Sequence, residues 1–259
     1  GVRAGGAGTG SGAGAGSGAG AGSGAGGLRL YGSQGSRSPL VGWYLHELGV
    51  GFEERPPGDP ENPHPMGQVP ALRDGAAVAV WESGAVLLYL QDAYGGLEDA
   101  AARAHAASWV VWANATLDPC LFKETPEGRV VGTGAAERAV PRPLAVLEAS
   151  LGETGETGEE GQGQGFLLGP SAADFSVADV AVASYLLYIP QFFPDVHWGR
   201  LPAIAAYMAR CASRPAYAQA FGEPLAAMLA AKLRDQAAEG PRDPAGPKLF
   251  GGIFSSQKK

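Results

Sequence analysis

Four polar residues with chemical potential crowd one short stretch, Leu28–Gly49 (LRLYGSQGSRSPLVGWYLHELG): Ser33, Ser36, Arg37 and Ser38. Leu28, Leu30 and Tyr31 read as an apolar strand, and Gly32, Ser33, Gly35 and Ser36 break it. Val41, Leu45 and Leu48 then recur at helical spacing until Gly49 stops the helix. Hydroxyls therefore gather where a helix begins. Unpaired backbone N–H groups and the helix dipole favour an anion there. The simplest local reading of Ser36 is a helix cap, and of Arg37 a surface guanidinium paired with an acid. Ser33 sits nearer the strand end, and Ser38 stands beside Pro39, a residue suited to a first helical turn.

A second polar cluster follows. Gly51–Arg55 reads as a strand, and the five prolines of Pro56–Pro65 impose a loop with at most one helical turn. In the segment 67–75 (GQVPALRDG), Asp74-Gly75 marks a hairpin joining strands at 71–73 and 78–81. Glu82 and Ser83 open a helix to about Tyr94, with Val86, Leu87, Leu90 and Tyr94 on one face and Gly95-Gly96 after it. Read locally, Glu82-Ser83 is an ordinary cap with an acid in the first turn.

From Glu98 alanine rises and strand patterns vanish. Helices are predicted at 98–116, 135–151, 176–189, 201–213, 215–221 and 223–238. Ser176 and Asp179 form an Asp version of a capping box. Trp109 and Trp112 lie three apart, a spacing commonest in a core.

Composition excludes several classes. The net charge of -7 and the absence of Lys/Arg clusters argue against a nucleic-acid partner. No apolar run approaches the ~20 residues of a membrane helix. Cys120 and Cys211 lie far apart and four scattered histidines show no paired spacing, so neither a disulfide framework, a metal site nor a permanent cofactor is predicted. The thiols suit a reducing compartment, the cytoplasm first and the chloroplast stroma as alternative. Four segments are expected: a Gly/Ala/Ser-rich tail at 1–27, a first domain at 28–96, a helical domain at 97–238 with an acidic loop at 152–165, and a C-terminal tail at 239–259.

Taken together, SRSPLVGWYLHELG, GQVPAL, WESGAVLLYLQDAYG, WANATLDP and FSVADVAVASYL resemble, in order and spacing, a soluble glutathione S-transferase, nearest to serine-type and cyanobacterial- or plastid-like members. The likeness runs from about Leu28 to Phe221. It implies an α+β thioredoxin-like N-terminal domain (βαβ-ββα), an all-α C-terminal domain, glutathione as co-substrate and a homodimer. On this resemblance Ser36 is the activating serine, with Ser33 and Arg37 its rivals. A free thiol titrates near pKa ~8.5, and each tenfold loss of its proton affinity takes about 1.4 kcal/mol. A hydrogen bond to a charged group supplies roughly 1.5–3 kcal/mol, and a helix N-terminus about 0.3–2 kcal/mol. A hydroxyl therefore suffices to hold a thiolate without acting as a base.

The same resemblance makes Val69-Pro70 a cis-proline site whose backbone pairs with the cysteinyl unit, and Gln68 a contact to the peptide. It assigns Ser83 to the γ-glutamyl carboxylate and Glu82 to the α-amino group. His64 is a weaker contact candidate, with a solvated loop histidine as the plainer reading. Trp109 and Trp112 could wall a second-substrate pocket, and Asn114 could reach it. The predicted activity is conjugation of the glutathione thiolate to a small apolar electrophile, as in detoxification. A non-catalytic scaffold module is the first alternative, and a glutathione-dependent peroxidase or thiol reductase the next. The turn's lack of cysteine weighs against the reductase.

Overall fold

The computed structural model describes residues 27–127, 129–156 and 165–239, and side chains within these except at 153–156. The N-terminal tail up to residue 26, most of the acidic loop and the segment from 240 lie outside the described residues.

Four strands, β1 (Leu28–Tyr31), β2 (Glu53–Arg55), β3 (Ala71–Asp74) and β4 (Val78–Trp81), form one mixed sheet in the order β2-β1-β3-β4. β1 runs parallel to β2 and antiparallel to β3, and β3 and β4 make the hairpin foreseen from Asp74-Gly75. Crossover α1 (Ser38–Leu48) joins β1 to β2, and α2 (Ser83–Tyr94) follows β4. Val41 and Leu45 of α1, and Val86, Leu87 and Leu90 of α2, are fully buried. This is the thioredoxin-like arrangement, and a helical region follows it.

That region contains α3 (Ala100–Trp112), α4 (Asp118–Leu121), α5 (Arg142–Glu156), α6 (Val177–Phe192), α7 (Pro202–Ala212), α8 (Pro215–Phe221) and α9 (Glu223–Glu239). Three expectations are corrected. The helix foreseen at 98–116 is α-helical only to Trp112, then becomes a π-helical turn at Ala113–Leu117. The helix foreseen at 135–151 starts later, at Arg142, and extends to Glu156, so it takes in the start of the supposed 152–165 loop. Strands do not vanish after Glu98: β5 (Phe122–Glu124) and β6 (Val130–Thr133) pair antiparallel. These strands are three and four residues long, too short to show alternation.

α1 is fixed from its outer face. Trp43 is fully buried, edge-on to Tyr217 of α8 at 5.0 Å, and its Nε1 donates to Glu47 at 2.9 Å. Arg214 grips the same Glu47 carboxylate through two bonds of 2.6 and 2.7 Å and lies 3.7 Å over the Phe175 ring. A two-pronged guanidinium–carboxylate pair sets direction as well as distance, so α1 is held in orientation against the helical region.

α6 is buried around almost its whole circumference, which is why its apolar residues show no single stripe. Its start is held by Asp179, 0% exposed. The Asp179 carboxylate accepts from the Ser176 N–H (2.9 Å), the Leu167 N–H (2.9 Å), the Ser176 hydroxyl (3.2 Å) and the Tyr207 hydroxyl (3.1 Å). Burial outweighs these donors and pushes the carboxyl up to about 6. A raised carboxyl binds its proton more tightly folded than unfolded. Its contribution to stability therefore falls as pH rises from the ordinary aspartate range, near ~3.9, to about 6, and is level above that. Urea unfolding between pH 4 and 7 is expected to show this fall in the parent and not in Asp179→Asn. Asp179→Ala strands the surrounding donors and is expected to cost about 3 kcal/mol or more at pH 7.

Candidate functional site

Strand register brings three polar segments to one end of the sheet. Tyr31 at the end of β1 pairs with Ala71 at the start of β3, and Ala71 pairs with Trp81 at the end of β4. The Ser33–Ser38 turn, the Val69-Pro70 step and Glu82-Ser83 consequently leave the sheet at the same edge. The Val69-Pro70 bond is cis. Gln68 is exposed, and its carbonyl accepts from Asn62 Nδ2 at 3.1 Å.

At the start of α1 the serines bond to one another. Ser36 Oγ donates to the Ser33 carbonyl at 2.8 Å, accepts from the Ser38 N–H at 3.1 Å and lies 2.7 Å from Ser38 Oγ. Ser36 Oγ thus meets the first helical N–H from one residue before the Arg37 N-cap, and also bonds the Ser33 carbonyl. Ser36 is half-buried, Ser33 exposed and Ser38 buried. Ser38 packs so closely on the strand end that a Cβ at position 32 would fall 2.3 Å from its own, which requires Gly32. Ser33, Gln34 and Ser38 also line a cleft of about 200 Å³, together with Gly42, His46, Glu54 and Ala220. Arg37 forms an ion pair with Asp118, its guanidinium 5.4 Å from the centre of the Tyr185 ring. Burial pushes the Asp118 carboxyl up, against the pull of Arg37.

No side chain caps the start of α2. Glu82, exposed, adopts φ +68°, the sole non-glycine in the left-handed region among the described residues. Such a conformation costs about 1–3 kcal/mol and persists where surrounding structure enforces it. Glu82 stands between β4 and α2, whose first N–H groups, like those of any helix, have no intrahelical partners.

Ser83 is buried (4% exposed) and donates through Oγ to Asn114 Oδ1 at 3.3 Å. Asn114 comes from the π-helical turn and takes a second donor on the same oxygen, the Tyr185 hydroxyl of α6, at 2.9 Å. Its Nδ2 donates to the Val110 carbonyl at 2.8 Å. The helical region thereby touches both helix starts: Asn114 at α2, Asp118 and Tyr185 at Arg37. Nothing in the sequence alone shows Asn114 at the cleft it was expected to reach, and it gives no sign of Asp118 or Tyr185. Tyr185 lies inside an apolar run whose pattern shows only burial.

The remaining candidates stand apart. Trp109 and Trp112 meet each other edge-on at 5.3 Å and pack partly buried against the core, without a hydrogen bond or ring contact to the serine cluster among those described. His64 is buried (6% exposed), correcting the solvated histidine foreseen for this loop. Its Nδ1 accepts from the Met66 N–H at 3.1 Å and its ring lies 6.2 Å from Trp81. Cys211 is buried and Cys120 half-buried, and burial pushes both thiols up, so neither is a ready thiolate. Among the described residues no three His, Cys, Asp or Glu side chains gather to hold a metal ion, and no helix is long and apolar enough to cross a membrane.

Known proteins resemble this chain. Residues 30–98 match the family model for the glutathione S-transferase N-terminal domain. The glutathione S-transferase GstB of Escherichia coli (strain K12) is 28% identical over 166 residues, covering 59% of this chain and 73% of the relative. A glutathione transferase from Burkholderia graminis, solved with two glutathione molecules bound per subunit, is 26% identical with a TM-score of 0.58, covering 76% of this chain and 88% of its own. The theta class enzyme of Xanthomonas axonopodis pv. citri, solved with glutathione bound, is 24% identical with a TM-score of 0.55, covering 76% and 98%. The fold is that of a glutathione S-transferase, and the match of residues 30–98 to the N-terminal domain model falls on the sheet and its two helices.

Gly84 reports how tightly Asn114 is held. A Cβ there would lie 2.9 Å from Asn114 Nδ2 and 3.4 Å from Val110 Cγ1. In a free helix Gly→Ala gains about 1 kcal/mol. Because Asn114 is pinned by bonds at both ends of its amide, Gly84→Ala is expected to lose about 1–3 kcal/mol instead, read by urea unfolding.

Proposed function

We propose that this protein is a glutathione transferase of the serine type. It binds glutathione at the sheet edge, stabilises its thiolate at the start of α1, and transfers that sulfur to a small apolar electrophile. The observation that carries this reading is the uncapped start of α2 behind Ser83, directly across the sheet register from the cis Val69-Pro70 step. An uncapped helix start with a buried hydroxyl suits a carboxylate. The backbone of Val69 suits an extended peptide laid alongside it. Glutathione in the Burkholderia graminis relative supports the same choice of ligand.

In this mechanism the γ-glutamyl carboxylate meets the N–H groups of α2 and the Ser83 hydroxyl. Glu82 faces the α-amino group, and Gln68 and Val69 meet the peptide. The sulfur falls at the serine turn, where Ser36 turns its proton from the Ser33 carbonyl to the thiolate. Arg37, tied to Asp118, adds positive charge nearby without being the donor. The thiolate then attacks the electrophile, whose leaving group carries off the electron pair. Trp109 and Trp112 remain candidates for the wall of the electrophile pocket. Exposed Met66 (69%) and Trp81 (40%) are apolar surface that a homodimer would cover. Cys120 and Cys211, free of disulfides, suit the cytoplasm or, as the alternative, the chloroplast stroma.

Calorimetric titration with glutathione tests the reading. The parent is expected to bind, and Ser83→Ala to bind about 10- to 100-fold more weakly, the worth of a hydrogen bond to a charged group. No binding by the parent would overturn the proposal and leave the scaffold alternative in its place.

A further inference from the structure

Ser83 has one proton, and in the ligand-free chain it points at Asn114 Oδ1. If the site takes glutathione, the same proton must serve a carboxylate. Releasing it would strip a partly buried carbonyl oxygen of a donor, which is unfavourable unless another donor remains. The structure holds that other donor.

Asn114 cannot turn its amide over, because Nδ2 donates to the Val110 carbonyl, which can only accept. Oδ1 is thus fixed toward Ser83 and Tyr185, with two lone pairs for two donors. The Tyr185 bond is the short one, 2.9 Å against 3.3 Å. Tyr185 is 1% exposed and does not face solvent. Arg37 covers its ring and Asp118 holds Arg37, so the ring is fixed from above while its hydroxyl is fixed at Asn114. Burial pushes the phenol up, which keeps the donated proton in place at neutral pH.

We infer that Tyr185 is a positioning residue for recognition of the γ-glutamyl carboxylate: by keeping Asn114 Oδ1 satisfied, it frees the Ser83 hydroxyl to donate to the ligand. This rests on the reading of the site as a glutathione site. It assigns a binding role to a tyrosine of the helical region that does not touch the ligand. Without the Tyr185 hydroxyl, Asn114 would hold the Ser83 proton, and the carboxylate would lose its donor.

Tyr185→Phe keeps the ring under Arg37 and removes only the hydroxyl. The test compares binding of glutathione with binding of its analogue in which the γ-glutamyl α-carboxylate is an amide. Tyr185→Phe is expected to weaken glutathione binding roughly five- to tenfold, and to change analogue binding less than about twofold. In an Asn114→Ala background, where there is no carbonyl to satisfy, Tyr185→Phe is expected to add less than about twofold. Unchanged glutathione affinity in Tyr185→Phe, or equal losses for both ligands, overturns the inference and leaves the glutathione site standing. Failure of the parent to bind glutathione overturns the underlying reading, and this inference with it.

Discussion

The structure depends on a carboxylate removed from water. Asp179 gathers two backbone N–H groups and two hydroxyls at the start of α6, and α6 is the helix against which much of the helical region and both α1 and α2 are packed. A buried acid is costly unless every lone pair is used. Here the satisfied carboxylate ties the Leu167 backbone, the Ser176 cap and Tyr207 of α7 to one point. From that point α6 runs to Tyr185, which meets the two helix starts where the site lies. On the proposed reading, stability and function are thus linked along one helix.

On the proposed reading, the two helix starts have different tasks, set by local chemistry. At α1 the serines satisfy one another, so the turn is a closed set of hydrogen bonds whose opening toward a ligand requires one proton to move. At α2 no side chain caps the helix, and Glu82 just before it holds a strained, positive-φ backbone. A preformed, uncapped terminus favours binding. A hydroxyl that can exchange one acceptor for another favours stabilising a charge that exists only when the thiol ionises. In both places the helical region supplies the second layer: Asp118 behind Arg37, and Asn114 and Tyr185 behind Ser83.

Much of the first domain was legible in the sequence, because it is written in strong local signals. Asp74-Gly75 marked the β3–β4 hairpin and Gly49 ended α1; in the helical region Ser176 with Asp179 marked the start of α6. Ser36, Ser83 and Val69-Pro70 were legible through the order of motifs, and the register placed them at one edge. The second layer was not legible. The π-helical turn that carries Asn114 follows Trp112 with no compositional mark. An i→i+5 turn uses the same residues as an α-helix and differs only in one extra residue per turn. Tyr185 was hidden by its neighbours, since in a helix buried on all sides a tyrosine reads as one more apolar residue. The β5–β6 hairpin was missed for want of length, and Pro190, an apparent stop, is accommodated inside α6, which continues to Phe192.

The Ser36 hydroxyl at the start of α1 is assigned the central task, holding a ligand thiolate. The most direct measurement is an ultraviolet titration of the thiol of bound glutathione in the parent and in Ser36→Ala. The assignment predicts a midpoint about one to three pH units below the free value near ~8.5 in the parent, returning toward that value in the variant. A bound thiol that titrates at the free value in the parent, or at the same depressed value in both proteins, would contradict it.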